Sequence, residues 1–228
     1  MPLTVGFDLD MTLIDPRPGM AAVMDAVAAE SGYPLDGAHF AANLGPPLDM
    51  IYRDFGVPEA EVPRLIARFR ELYPDVVIPA TVALPGAAQS LAAVRELGGT
   101  TIVVTGKYRA NAALHLAAFD WEVDHLFGEL WSTGKAEALK AHGAAVYVGD
   151  HVGDVRGAKA AGAVAVAVVS GPCDAEELTA EGADVVLPDL TAFPGWLRAN
   201  ADRLRAGVGS GSGSVSGVGF GVGRSAPR

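Results

Sequence analysis

Phe7-Asp8-Leu9-Asp10-Met11-Thr12-Leu13 follows directly from the first apolar run of the chain, Leu3-Thr4-Val5-Gly6-Phe7. That run is apolar on both faces, the pattern of a parallel strand covered on two sides by helices. In extended backbone alternate side chains share a direction, so Asp8 and Asp10 are able to face one crevice. Taken alone, two acids in this spacing more often mark a solvated turn or a helix cap. The rest of the chain decides between these readings.

Four further runs predict strands of the same kind. Thr100–Val104 ends on Thr105-Gly106, and Ala144–Val148 ends on Gly149-Asp150. Val164–Val169 ends on Ser170-Gly171-Pro172, and Asp184–Leu187 ends on Pro188-Asp189. Helical patterns lie between or after them, over Gly86–Leu97, Lys107–Ala118, Lys135–His142, Val152–Ala161, Ala175–Glu181 and Leu190–Arg205. This alternation predicts an α/β fold with a doubly wound parallel sheet. Such sheets bind ligands beyond the carboxyl ends of their strands, where Asp8, Thr105 and Asp150 all fall.

Residues 16–84 break the alternation and contain no good strand. They read as helices over Gly19–Glu30, Leu48–Phe55 and Glu59–Tyr73, separated by Ser31-Gly32-Tyr33-Pro34 and Gly45-Pro46-Pro47. A helical insert directly after the first strand would sit over that strand's end, as a lid. The expected organisation is a core of residues 1–15 and 85–205, a helical cap over 16–84, and a flexible Gly/Ser-rich tail over 206–228. The Val residues and Phe220 of the tail leave partner binding or strand pairing as its other reading.

Composition narrows the partners. Seventeen basic against 27 acidic residues give a net charge of −10, which offers no basic field for a nucleic acid. Cys173 is the single cysteine, so no internal disulfide framework exists. The start lacks a basic segment followed by a long apolar one, and runs such as Ala163–Val169 are far short of the ~20 residues of a membrane span. These features predict a soluble cytoplasmic protein with no membrane, nucleic-acid or evident protein partner.

A second acidic pair settles the reading of the first. In Val148-Gly149-Asp150-His151-Val152-Gly153-Asp154 the acids have i, i+4 spacing at a helix opening. N-capping by Asp150, with Asp154 in the first turn, explains one such pair. It does not explain two pairs at strand ends of one sheet. Four gathered carboxylates repel and raise one another's pKa values, and a bound cation resolves this. Oxygen ligands with no His or Cys cluster nearby point to Mg²⁺.

Val103-Val104-Thr105-Gly106-Lys107 places a hydroxyl and a glycine ahead of a predicted helix, whose N–H groups suit an anion such as phosphate. Thr105 also fits an ordinary N-cap. The chain has four lysines: Lys107, Lys135, Lys140 and Lys159. Lys135 begins a helix, where a cation opposes the dipole and an anionic ligand would explain it. Lys107 shares that placement and competes for the role. Lys140 and Lys159 read as solvated helix positions.

Together these segments resemble the haloacid dehalogenase-type (HAD) hydrolase superfamily over about residues 3–200. They are most similar to its helical-cap phosphatases of the phosphoglycolate phosphatase type. Phe7-Asp8-Leu9-Asp10-Met11-Thr12 resembles the first family motif and Val104-Thr105-Gly106-Lys107 the second. Lys135 resembles the third, and Gly149-Asp150 through Asp154 the fourth. Cap segments Leu44-Gly45-Pro46-Pro47-Leu48 and Phe69-Arg70-Glu71-Leu72-Tyr73 are also similar.

The resemblance implies a Rossmannoid core and a phosphatase acting on a small phosphorylated metabolite through an aspartyl-phosphate. Asp8 would be the nucleophile and Asp10 the general acid and base. Mg²⁺ would be held by Asp8, the Asp10 backbone carbonyl and Asp150, with Asp154 ligating or supporting it. Thr105, Gly106 and Lys135 would grip the phosphoryl group. Asp10 speaks against haloacid dehalogenation, because a halide leaving group needs no proton. The same fold also admits a phosphosugar mutase or a non-catalytic binding protein.

Three positions depart from the pattern. Met11 stands where these phosphatases usually carry Gly and is expected to narrow the substrate mouth. Gly106 replaces a common Asn, and 14 residues with no Pro after the lysine separate Lys135 from Asp150. Other residues carry weaker signals. His151 could face the mouth or lie in a solvated loop, and His39, His115, His125 and His142 form no ligand pattern. Tyr52 and Arg53 could reach a leaving group, with a cap–core salt bridge as the other reading of Arg53. Cys173 and the tryptophans Trp121, Trp131 and Trp196 read as inert or packing residues.

Overall fold

The computed structural model describes residues 3–207. Strand β1 (Thr4–Phe7) is followed by a short β2 (Ile14–Asp15). Four helices come next: α1 (Arg17–Ser31), α2 (Gly37–Ala42), α3 (Leu48–Asp54) and α4 (Val62–Val76). Strand β3 (Val82–Ala83) then returns antiparallel to β2, so residues 16–84 do hold a strand, of two residues. The chain continues through α5 (Ala87–Glu96), β4 (Thr100–Val104), α6 (Arg109–Ala118), β5 (His125–Phe127) and α7 (Ala136–Ala141). It ends through β6 (Ala144–Gly149), α8 (Val152–Ala161), β7 (Val164–Val168), α9 (Ala175–Ala180), β8 (Val185–Leu187) and α10 (Phe193–Arg205).

Six strands form one sheet in the order β5-β4-β1-β6-β7-β8, every pair parallel. The period of two divides each central strand between two cores. Val5, Phe7, Val103, Val146 and Val148 face one cluster with α5 and α10, while Ile102, Val104 and Tyr147 face the other with α7 and α8. Chain order reverses on either side of β1, which opens a crevice at the carboxyl ends of β1, β4 and β6.

Several local expectations change. Helix α2 and strand β5 carried no clear pattern in sequence; α2 is six residues and β5 three. Helix α6 starts at Arg109 with Tyr108 as N-cap, so Lys107 lies just before it, and Lys135 is the N-cap of α7, which starts at Ala136. His151, not Asp150, caps α8: its side chain accepts from the Gly153 N–H at 2.9 Å, and Asp154 Oδ2 accepts from the His151 N–H at 3.1 Å. The proposed tail lies, from residue 208 onward, outside the described residues. No helix among the described residues is long and apolar enough to cross a membrane.

Helices α1 to α4 bury their own apolar cluster, including Met20, Val23, Phe40, Phe69 and Tyr73. Met11 belongs to that cluster and is 2% exposed. It packs there and does not line the mouth, contrary to the sequence expectation; Met20 lines it. The Met11 backbone sits at φ 56°, which explains why Gly suits this position. The strain costs about 1–2 kcal/mol. Burying a methionine side chain contributes about 1.5–3 kcal/mol, so packing wins. Met11→Gly should therefore lower stability by about 1 kcal/mol. Thermal melting that shows a stabilised variant would reverse this balance.

Candidate active site

Three strand ends deliver the site. Asp8 follows β1, and its N–H extends the ladder by donating to the Val148 carbonyl at 2.8 Å. Thr105 follows β4, and its N–H donates to the Phe127 carbonyl at 2.9 Å. Asp150 follows β6, where Thr12 Oγ1 donates to its Oδ1 at 2.7 Å. The backbone at Gly171 passes so close to Asp150 that a Cβ there would stand 1.8 Å from Oδ2. Only glycine fits.

Beneath these ends lies Lys135, 1% exposed. Its ammonium donates to Asp8 Oδ1 at 2.9 Å, Asp154 Oδ1 at 2.6 Å and the Tyr147 hydroxyl at 2.8 Å. Three bonds use its three protons. Tyr147 in turn donates to the Val104 carbonyl at 2.6 Å. Burial works against the Lys135 charge, but Asp154 and Asp8 outweigh it and hold the ammonium above the usual lysine range.

Oxygens of Asp8, Asp150 and Asp154 lie within 4.8 Å of one another, all in buried residues. Lys135 balances one of three carboxylates. Burial pushes the Asp8 pKa up to about 7 against the pull of Lys135, with Asp154 adding to the rise. Burial, then Asp154 and Asp8, also raise Asp150 well above its ordinary value. A divalent cation fits this set: the donors are hard oxygens, and their charge is under-compensated.

The Asp10 side chain stands apart from that cluster. Lys107 Nζ lies 2.9 Å from Asp10 Oδ2, while Oδ1 is buried with no hydrogen-bond partner. Lys107 and Lys135 therefore serve different acids and do not compete for one role.

A cavity of about 340 Å³ lies over the strand ends. Asp8, Asp10, Thr105, Gly106 and Asp150 line it, whereas Lys135 and Asp154 lie behind its wall. The Thr105 hydroxyl accepts from the Lys107 N–H at 3.2 Å, so its own proton is able to turn to a ligand. The helical side contributes an apolar wall, including Phe40, Leu44 and Phe69. Trp131 and His151 meet at the mouth with centroids 5.0 Å apart and planes tilted by 46°, so Trp131 lines the cavity in addition to packing.

Arg70 of α4 also lines the cavity, a residue to which sequence alone assigns no role. Its Nη2 donates to Glu129 at 2.9 Å, and its guanidinium lies 3.8 Å over the Tyr108 ring. Its Nε is buried with no partner. Tyr52 and Arg53 do not reach the site. Tyr52 is fully buried among the helices, and Arg53 pairs with Asp49 and Glu59, neither of them in the core. The Cys173 thiol is buried and raised by that burial, as befits an unreactive group.

A parallel α/β sheet whose central strand ends in a buried carboxylate, under a helical wall, frames an aspartate-lined crevice. The chain belongs to the haloacid dehalogenase-like hydrolase family, whose family model matches residues 5–168. It is 28% identical over 193 residues to the phosphoglycolate phosphatase of Haemophilus influenzae (strain 86-028NP), covering 73% of this chain and 85% of that protein. The phosphoglycolate phosphatase of Caulobacter vibrioides is 28% identical over 211 residues, covering 84% of this chain and 89% of that one. A crystal structure described as a predicted phosphatase from Clostridium acetobutylicum superposes with a TM-score of 0.77 at 20% identity, covering 87% of this chain and 99% of that one. A hydrolase from Pseudomonas syringae superposes with a TM-score of 0.71 at 22% identity, covering 88% and 98%.

The raised Asp8 pKa has a stability consequence. A carboxyl whose folded pKa lies near 7 favours folding below its ordinary value of 3.8 and loses that contribution as pH rises toward 7. Asn cannot ionise. The stability of metal-free Asp8→Asn protein, measured relative to wild type, should rise as pH goes from about 4 to 7, on top of any constant cost of losing the Lys135 pair. A difference in denaturant midpoint that does not vary with pH would refute the burial argument.

Proposed function

We propose that this chain is a Mg²⁺-dependent phosphatase that hydrolyses a small phosphorylated metabolite, a phosphoglycolate-type monoester, through an aspartyl-phosphate on Asp8. One observation carries the reading: two differently held carboxylates meet at one cavity. Asp8 is fixed by Lys135, while Asp10 is fixed on one oxygen and has the other unpaired. The names of the curated relatives support the monoester class.

In the first step an Asp8 oxygen attacks phosphorus and the bond to the ester oxygen breaks. The proton on Asp10 Oδ1 passes to the departing alkoxide. A water then gives a proton to Asp10 and attacks the aspartyl-phosphate, which restores Asp8 and releases phosphate. Thr105 donates to the phosphoryl oxygens. Lys135, with all three protons engaged, contributes by orienting Asp8. Mg²⁺ would be held by Asp8, Asp150 and the Asp10 carbonyl, with Asp154 behind, and when bound supplies positive charge at the phosphoryl group. Residues 1–15 and 85–205 form the catalytic core in this reading, and 16–84 the cap that shields the reaction from bulk water.

Arg70 favours a leaving group that bears a carboxylate, because an anion there would satisfy its unpaired Nε. Phosphate release from phosphoglycolate should require Mg²⁺ and vanish with a chelator or in Asp8→Asn. Undiminished turnover by Asp8→Asn would end the proposal. Arg70→Gln should raise KM for phosphoglycolate about tenfold, the loss of one charge-assisted bond, and raise that for phenyl phosphate far less. Equal rises would remove Arg70 as the carboxylate reader.

A further inference from the structure

A buried polar chain leaves the Asp10 side of the cavity, enters helix α4 and returns to helix α6. Lys107 Nζ donates both to Asp10 Oδ2 and to the Tyr73 hydroxyl. The Tyr73 oxygen in turn lies 2.8 Å from His115 Nε2. Lys107 is 8% exposed, Tyr73 1% and His115 0%. The reaction scheme uses neither Tyr73 nor His115.

Donor chemistry fixes the direction of each bond. An ammonium only donates, so the Tyr73 oxygen accepts from Lys107. The Tyr73 proton is then free for His115 Nε2, which suits the neutral tautomer with its hydrogen on Nδ1, a buried atom with no partner. Burial, then the Lys107 charge, push the His115 pKa down to about 3, in keeping with a ring that only accepts there. The Tyr73 phenol is pushed up to about 12, mainly by burial, so it keeps its proton.

The four groups come from both parts of the molecule. Asp10, Lys107 and His115 flank the parallel sheet, whereas Tyr73 belongs to α4 and to the apolar cluster of helices α1 to α4. Tyr73 is thus a contact by which those helices touch the Asp10 carboxylate, through one lysine.

We propose that Tyr73 is a positioning residue through which docking of the helical cap sets Asp10 for proton transfer. With Tyr73 seated, Lys107 is divided between the phenol and Oδ2, and Oδ1 stays buried without a hydrogen-bond partner. Without the phenol, Lys107 has a single buried oxygen partner and swings across both Asp10 oxygens, which engages the atom that must carry the proton. The acid is therefore ordered only under a docked cap. This inference rests on the reading of Asp10 as the acid.

Leaving-group dependence tests it. Tyr73→Phe removes one oxygen and keeps the ring. Its kcat with Mg²⁺ should fall at least tenfold on phosphoglycolate, whose alkoxide needs a proton. It should fall less than threefold on p-nitrophenyl phosphate, whose phenolate needs little help, with KM near wild type on both. Equal losses on the two esters, or no loss on either, would overturn the positioning role. Amide exchange provides a readout without turnover: α4 should exchange faster in Tyr73→Phe while α1 is unchanged, and an unaltered α4 overturns the latch. A wild type inactive on both esters would instead remove the phosphatase reading, and exchange alone would then decide the latch.

Discussion

Three carboxylates and one ammonium share a buried space at the end of the central strands, and the rest of the site is arranged around that imbalance. Lys135 joins Asp8, Asp154 and Tyr147. Removing one partner from a buried pair of this kind costs about 3–5 kcal/mol, since the other charge is left without compensation. Asp154 uses its second oxygen on the His151 N–H and so closes the capping box of α8. The charge cluster and the helix that follows β6 are therefore held by the same atoms. Asp150 has the Thr12 hydroxyl but no cation, which is why the set calls for one.

A second constraint acts on the opposite side of the cavity, where helices α1 to α4 meet the sheet. Few polar contacts cross there, and each is specific. Arg70 reaches Glu129, and Tyr73 reaches Lys107 and His115. Met11 crosses in the other direction, from the loop after β1 into the apolar cluster of the helices. That loop is tight: the Leu9 carbonyl accepts from the Leu13 and Ile14 N–H groups at 2.8 and 3.0 Å. The same short turn thus carries Asp10 and the side chain that plugs the helical layer.

What the sequence made legible follows from which forces leave a local trace. The strands β1, β4, β6 and β7 are mostly apolar runs because both faces are buried, and the ends of the first three carry Asp8, Thr105 and Asp150. Strands β5 and β8 are each three residues and partly exposed; β8 reads from its aliphatic Val185, Val186 and Leu187, whereas β5 opens on His125. Helix α2 is one and a half turns, held by Asp36 accepting from the His39 N–H, a signal shared with any turn. His115 reads in sequence as one of several scattered histidines, because its partner is 42 positions away on another helix. Arg70 and Tyr73 lie within one short cap segment, yet spacing alone assigns neither a partner.

The two lysines show the limit most clearly. Read along the chain, Lys107 and Lys135 have the same awkward placement at predicted helix starts, and a single anionic ligand accounts for only one of them. The fold dissolves the competition in two ways. Lys107 stands outside α6, before its cap Tyr108, whereas Lys135 is itself the cap of α7. Each lysine also has an acid of its own, Asp8 for Lys135 and Asp10 for Lys107. Two adjacent carboxylates on one strand end would otherwise experience nearly the same field. Giving each a separate ammonium, one backed by Asp154 and Tyr147 and the other by Tyr73, makes them chemically distinct. A reaction that needs one carboxylate to attack and its neighbour to carry a proton requires that asymmetry, and residue spacing in the sequence cannot display it.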